Sequence, residues 1–357
     1  MAQWRRGLGT GLRFKPGDKL RSLFAGSTAP ATVRQRLKAW RAGFSGTTWL
    51  LYDLDNNSPS DYVPDSKATA MANLDGPAAR SVLRNKLLFE RMVGRLVRVP
   101  KTYAVVERGT VTSLDADWEV GDPSGIVAKV MQTGTPLILK PMDSSEGRGV
   151  HSLELAPDGL SLDKRPVTEA QALSALSSAP SVLVCERVTQ GGFSGRAFPQ
   201  AVNTIRVVTM VDPQTGAPFI VSAVHRFGTS KSAPTDNVSR GGIRSFVDVE
   251  TGTLSPAGAS WALDATGRRL SFDVHPDSGE PLSGVVLEGW EDVKPLLLGL
   301  VRQLPFLIYV GWDVAITENG IVLIEGNHSP NLTQQAAGPY LKDERVRRFL
   351  RHHRVID

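Results

Sequence analysis

The stretch from Ile308 to Leu332, IYVGWDVAITENGIVLIEGNHSPNL, constrains this chain more than any other part of it. Two short apolar runs, Val314 to Ile316 and Ile321 to Ile324, flank Glu318-Asn319-Gly320, the pattern of a β-hairpin closed by an Asn-Gly bend. Asp313 is expected to open the first strand, and Glu325 and Asn327 to close the second. A tight hairpin returns its far ends beside one another, so two carboxylates and a carboxamide are predicted to meet at one end of a sheet. Oxygen-only ligands of this kind suit Mg²⁺, which keeps some waters and takes further ligands from nucleotide phosphates. Asp313, Glu325 and Asn327 are therefore candidate metal ligands of a Mg·ATP site. The competing reading makes them polar residues that merely end strands.

A second stretch, LILKPMDSSEGRGV from Leu137 to Val150, fits the same chemistry. An apolar strand delivers Lys140, Pro141 stops the pairing, and a polar turn precedes the next strand. Gly147 and Gly149 permit backbone conformations that turn consecutive N–H groups toward an anion, and Ser144 and Ser145 add hydroxyl donors. Such a flap can cover a triphosphate. It is neither a Walker loop nor a protein-kinase glycine loop, since GxxxxGK[ST] and GxGxxG are both absent. Taken alone, Lys140 reads equally as a solvated strand end and the glycines as a hairpin turn. Lys86, on an expected helix, reads by itself as a solvated position. The run SVLVCERV, Ser181 to Val188, reads as a buried strand with a charged exit, whose backbone past Cys185 could bond an adenine edge and whose Glu186 could reach a ribose, a pairing the sequence alone does not show.

At 357 residues the chain exceeds the size at which one hydrophobic core keeps growing, so two or three lobes are expected. Its 41% hydrophobic and 22% charged content is that of a globular protein. No apolar run approaches the roughly 20 residues that cross a bilayer, and the basic N-terminus has no apolar segment behind it. The single cysteine, Cys185, excludes an internal disulfide and a cysteine-based zinc cluster, and fits a reducing cytoplasm. A net charge of +5 suits an anionic small molecule as readily as nucleic acid, and no nucleic-acid-binding signature is present.

Periodicity sets the organisation. The first 30 residues lack it and read as a lead-in or docked arm; their glycines follow no strand, which argues against dinucleotide binding. A basic helix is predicted over Thr32 to Ala42, a strand over Thr47 to Tyr52, and a polar connection over Asp53 to Asp65 that lacks the glycine and glutamate of a calcium loop. One helix is expected between Gly76 and Leu96. Strands follow at Thr102 to Val106 and Pro136 to Lys140, around a helix near Pro123 to Met131. A second passage runs strand, helix, strand over Val150 to Leu155, Glu169 to Leu176 and Ser181 to Glu186. The remainder is β-rich, at Asn203 to Val211, Phe219 to Phe227, Arg244 to Val249 and the hairpin, with helices near Trp290 to Gln303 and Leu341 to Arg354. The fold class is α+β: an N-terminal lobe over 1–75, a central lobe with the glycine flap over 76–188, and a C-terminal β-rich lobe with the metal ligands over 189–357.

Together, Lys140-Pro141, the glycine flap, the ERV exit and the strand ends Asp313 and Glu325-Gly326-Asn327 resemble the ATP-grasp superfamily. NKLLFERM at Asn85 to Met92, GWDVAIT and LIEGNHSPNL resemble its sugar-transfer-associated branch. The resemblance implies an ATP-grasp fold, with ATP between two α+β lobes and an additional N-terminal lobe. It further implies that Lys86 and Lys140 approach the phosphates, that Glu186 and Val188 hold ribose and adenine, and that Asp313, Glu325 and Asn327 hold Mg²⁺. Arg206, in VNTIRVVT, matches a basic strand residue facing the transferred phosphate, with Asn203 close by. Arg240, in NVSRGG, matches an arginine approaching an acyl-phosphate.

The reaction so implied is an ATP- and Mg²⁺-dependent, ADP-forming ligation of a carboxylate to an amine through an acyl-phosphate, in polysaccharide or peptide modification. A small-molecule or sugar kinase using the same site is the alternative, and a nucleotide-binding regulatory module is a third reading. Cys185 is expected to be a small buried apolar residue, not a nucleophile. His225 reads as structural or substrate-facing, and His328, beside Asn327, as a substrate contact. The last helix sets Val346, Phe349 and Leu350 on one stripe and arginines elsewhere. This predicts a closing amphipathic helix, with an anionic membrane surface or saccharide as a second reading.

Overall fold

The computed structural model describes residues 31–142, 149–178, 180–263 and 269–357. Ser144, Ser145 and Gly147 of the expected flap lie outside the described residues; Gly149 lies within them, at φ +69°.

Five helices lead the described chain: α1 (Val33–Arg41), α2 (Gly46–Leu51), α3 (Ala68–Ala72), α4 (Pro77–Arg84) and α5 (Lys86–Val93). Then come β1 (Thr102–Glu107), β2 (Thr110–Ser113), α6 (Pro123–Thr133), β3 (Leu137–Pro141), β4 (His151–Ala156), β5 (Gly159–Leu162), β6 (Arg165–Pro166), α7 (Glu169–Leu176) and β7 (Ser181–Glu186). The second half holds α8 (Gly192–Ala197), β8 (Ile205–Val211), β9 (Pro218–Phe227), β10 (Ile243–Val247), β11 (Ala257–Leu263) and β12 (Arg269–Phe272). It ends with α9 (Trp290–Gln303), β13 (Tyr309–Thr317), β14 (Gly320–His328) and α10 (Glu344–His352).

The strands form two antiparallel sheets of seven, ordered β2-β1-β7-β3-β4-β5-β6 and β12-β11-β10-β9-β8-β13-β14. Strand alternation gives each sheet two distinct faces. In the first, Leu137, Leu139, Val182 and Val184 turn inward onto α6 and α7, whose Ile126, Val130, Ala172 and Leu176 complete a dry core. Ile138, Leu183 and Cys185 lie on the opposite face, which also carries Leu87 and Met142. Lys140 belongs to that second face by its alternation with Leu139.

Helix α9 covers one face of the second sheet, packing Trp290, Val293, Leu297 and Val301 with Val207, Phe227 and Val314. The other face of this sheet is partly charged. Its apolar portion, Val208, Met210 and Tyr309, is covered by Val63, Met71 and Leu332 and by Val346, Phe349 and Leu350 of α10.

Two departures from the periodicity have local causes. Thr47 to Tyr52, expected as a strand, is mostly helix α2, because the Ser45 hydroxyl caps the amide of Thr48 and the turn carries Trp49 and Tyr52 into a cluster with Phe44, Leu54 and Tyr62. β-propensity yielded to a cap and an aromatic core. The single helix expected after Gly76 is broken at Asn85, an extended residue whose carboxamide accepts from the amides of Leu87 and Leu88. That break makes Lys86 the first residue of α5.

Candidate active site

The hairpin forms as predicted in kind, but its strands are longer. Thr317 pairs with Gly320 across the turn, and Asp313 lies in mid-strand rather than at an end. Asp313 and Glu325 face each other in register, and beyond them Ile324 is an extra residue that shifts the pairing. On the other side Asp313 pairs with Arg206 of β8. Directly opposed residues share a face, so Arg206, Asp313 and Glu325 form one row across three strands. Arg226, two residues from the Arg206 partner Val224 on β9, joins the same face.

This row is closely matched in charge. Asp313 is only 2% exposed. Both its oxygens accept from Arg206, one at 2.8 Å and one closer, and Arg226 Nη2 stands 2.9 Å from Oδ2. Burial by itself would raise the Asp313 carboxyl, but the two guanidiniums outweigh it and hold the group well below the usual carboxylate range. Arg226 also lies 3.3 Å from Asp236, which accepts the Thr204 amide at 3.0 Å. Among the described residues Glu325 has no such guanidinium pair, and burial followed by the repulsion of Asp313 pushes its carboxyl up. Asn327 Nδ2 bridges the two acids, 3.2 Å from Glu325 Oε1 and 3.4 Å from Asp313 Oδ2.

A cleft of about 350 Å³ opens at the β14 edge. Lys86, Lys140, Glu325, Asn327 and His328 all line it, together with Arg84, Glu90 and Thr102. Candidates from both sequence stretches and from the α5 start thus meet in one cavity. Lys86 Nζ lies 3.4 Å from the Met142 carbonyl, at the entry to the flap.

Other candidates are placed differently. Glu186 binds Arg98 at 2.8 Å and accepts the Lys101 amide at 3.2 Å, so its carboxylate is engaged, and the side chain is not among those lining this cleft. Val188 lines a separate cleft of about 580 Å³ together with Ile138, Arg187, Gln190 and Lys164. Asn203 is buried and fully used in cross-linking backbone: its amide donates to the Ser194 and Phe198 carbonyls and its oxygen accepts from Gly228. Arg240 is exposed in a one-turn segment and makes no ion pair among the described residues. His225 is buried, bonded to Ser194 at 3.0 Å and stacked on Phe227, and burial lowers its pKa to about 3, so it stays neutral. His328 is lowered by burial and by Arg84 and Arg80.

Arg226, Asp236 and Glu90 were missed from sequence. Arg226 was legible, because its spacing from Val224 puts it on the Arg206 face once β8 and β9 are paired. Asp236 sits in a loop of ordinary composition and carried no signal.

Among the described residues no three His, Cys, Asp or Glu side chains gather as a metal site. One or two carboxylates with phosphate oxygens and waters supplying the rest is the usual Mg²⁺ arrangement, and Glu325 beside Asn327 fits it. Glu325 is an acid short of positive charge, which a divalent cation beside it would supply. Asp313 has less to offer, since guanidiniums already occupy its oxygens.

The chain belongs to the sugar-transfer associated ATP-grasp family, whose model matches residues 71–348. Its two antiparallel sheets with packing helices are the ATP-grasp fold. No curated protein sequence matches it. Among solved structures, D-alanyl-alanine synthetase A from Vibrio cholerae is similar at 14% identity and a TM-score of 0.39, covering 75% of this chain and 62% of that one. The ATP-grasp ligase PsnB, solved with a precursor variant, Mg and ADP, is 13% identical at a TM-score of 0.40, covering 77% and 61%. D-alanine-D-alanine ligase from Helicobacter pylori is 15% identical at 0.42, covering 83% and 71%. The chain thus spans less than two thirds of the length of the first two. These likenesses are loose, and membership of the family rests on the sequence match.

Proposed function

We propose that this protein is an ATP- and Mg²⁺-dependent carboxylate–amine ligase, acting through an acyl-phosphate in the modification of a saccharide or peptide. The observation that carries the reading is the meeting of Lys86 and Lys140 with Glu325 and Asn327 around one cleft, backed by the Arg206–Asp313–Arg226 row.

The lysines supply point charges for a triphosphate, and Lys86, beside the Met142 carbonyl, ties the flap entry to that charge. Bound at Glu325 with Asn327 nearby, Mg²⁺ would neutralise phosphate charge. A substrate carboxylate oxygen attacks the γ-phosphorus, the bond to the β-phosphate oxygen breaks, and ADP leaves. The amine then attacks the acyl carbon, expels phosphate and loses a proton. Charge spreads over phosphoryl oxygens throughout, so the protein needs fixed positive charge and positioning rather than a nucleophile. Burial, the dominant influence on Cys185, raises its thiol and leaves it unsuited to attack. The ion pairs to Asp313 and Asp236 fix Arg206 and Arg226 on the sheet face that also carries Glu325, and in this reading they supply positive charge to the transferred phosphoryl group.

Release of ADP and phosphate against pooled carboxylates and amines tests this. A ligase frees phosphate only when both acceptors are present; ADP formation with one acceptor and no free phosphate would replace this reading with a kinase.

A further inference from the structure

Helix α1 displays what most surface helices hide. Val33, Leu37 and Trp40 stand at i, i+4 and i+7, and they are 76%, 40% and 44% exposed. That spacing makes one apolar stripe, ending in an indole. The helix is not loose. A reciprocal capping box between Thr32 and Gln35 starts it, Ala39 is buried in the aromatic cluster of Phe44, Trp49 and Tyr52, and Gln35 and Lys38 both bond Asp55. The stripe is therefore presented outward from a fixed base.

The surroundings of the stripe are basic. Arg34, Arg36, Lys38 and Arg41 are the only charged residues of α1, and Arg34 and Arg41 are exposed and form no ion pair among the described residues. Over the first 41 residues there are ten basic side chains and one acid, Asp18, a surplus of +9 in a chain whose total is +5. The rest of the chain is thus net −4, so the sequence concentrates its positive charge in the segment that ends with this helix.

We propose that α1 is a docking surface for an anionic phospholipid bilayer. Apolar residues with tryptophan beside lysine and arginine suit the boundary between headgroups and acyl chains, and acidic headgroups supply the counter-charge that Arg34 and Arg41 lack among the described residues. Basic helix α10 is the internal control. Its Val346, Phe349 and Leu350 are buried, and Arg345, Arg347, Arg348 and Arg351 pair with Asp343, Glu344 and Asp212. Its apolar face is buried and each of these arginines has an ion-pair partner, so it offers a membrane less than α1 does.

The test is co-sedimentation of the full chain with phosphatidylglycerol–phosphatidylcholine vesicles, with pure phosphatidylcholine as reference. Binding to the anionic vesicles is expected, weakening as salt rises. The triple variant Val33→Ser, Leu37→Ser, Trp40→Ser keeps every charge and removes only exposed groups. It should melt like the parent and lose at least about tenfold in vesicle affinity. Arg34→Gln with Arg41→Gln should weaken binding, and Arg347→Gln with Arg351→Gln should not. Three results would overturn the proposal: no binding of the parent to anionic vesicles at low salt, undiminished binding of the triple serine variant, or a parent dimer that the serines dissociate without changing vesicle binding. The last would assign the stripe to a second copy of the chain.

Discussion

The charged face of β8, β9 and β13 and the surface of α10 hold similar chemistry, arginines beside carboxylates, in opposite surroundings. On the sheet, Asp313 is buried and each neighbouring guanidinium has a defined counter-charge. On α10, Arg347 and Glu344 pair at 3.1 Å with side chains 39% and 63% exposed. Water competes for the second set and not for the first. Burial, rather than the number of ion pairs, decides how much such contacts matter.

The largest effect is expected from Asp313→Asn, which leaves the largely covered guanidiniums of Arg206 and Arg226, with side chains 14% and 19% exposed, beside a neutral amide. A loss on the order of 3–5 kcal/mol is expected in chemical denaturation. As a bare metal ligand Asp313 would be replaceable without cost to the fold; its guanidinium contacts give it a structural role as well. A melting curve close to that of the parent would break the contrast between the two regions.

Glu325→Gln separates the two acids of the hairpin. The Glu325 carboxyl is raised, so its charge weakens folding as pH rises past the unfolded pKa, and the amide should fold at least as well as the parent. ATP-dependent turnover should nevertheless fall by about 10²–10³. Retained turnover would remove Glu325 from the nucleotide site, whereas a stability loss equal to that of Asp313→Asn would make the acids equivalent.

Asp75 sharpens the comparison, being as buried as Asp313 yet lacking a guanidinium in contact among the described residues. It accepts the Tyr309 amide at 3.4 Å, and burial raises it from 3.8 to about 7. The folded chain therefore keeps a proton that the unfolded chain has released, and stability is fullest below about pH 4 and declines up to about pH 7. Asp75→Asn should stabilise the protein by up to roughly 4 kcal/mol at pH 8 and by little at pH 4. Equal effects at the two pH values would show that the charge of Asp75 is not what costs stability.

The smallest effect belongs to Arg347→Gln with Arg351→Gln on α10, about 0.5 kcal/mol or less by thermal melting. A larger loss would mean that these exposed pairs are coupled as a network.

Much of the layout was legible because it depends on local pattern. The helices Glu169–Leu176 and Trp290–Gln303 and the strand Ser181–Glu186 lie where periodicity sets them. So does the hairpin, since an Asn-Gly bend between apolar runs has few other uses. The capped helix α2 and the break at Asn85 were misread because one side-chain oxygen outweighed the propensity of the residues around it. Within the cleft, Lys86, Lys140, Glu325 and Asn327 were found from motif and turn. Glu186 and Asn203 were named from the same motifs, yet their side chains are engaged with Arg98 and with backbone carbonyls, contacts that no local pattern encodes.

By itself the sequence determined the family, the hairpin and the residue types available for phosphate chemistry, because each depends on neighbours a few positions apart. Only the tertiary structure decided which charges cancel. Arg206 and Asp313 are 107 positions apart in the chain, yet strand pairing makes them direct partners. Whether a charge is free for a ligand, committed to a counter-charge or costly to bury depends on that long-range register and on the exclusion of water, and neither is a property of any single segment.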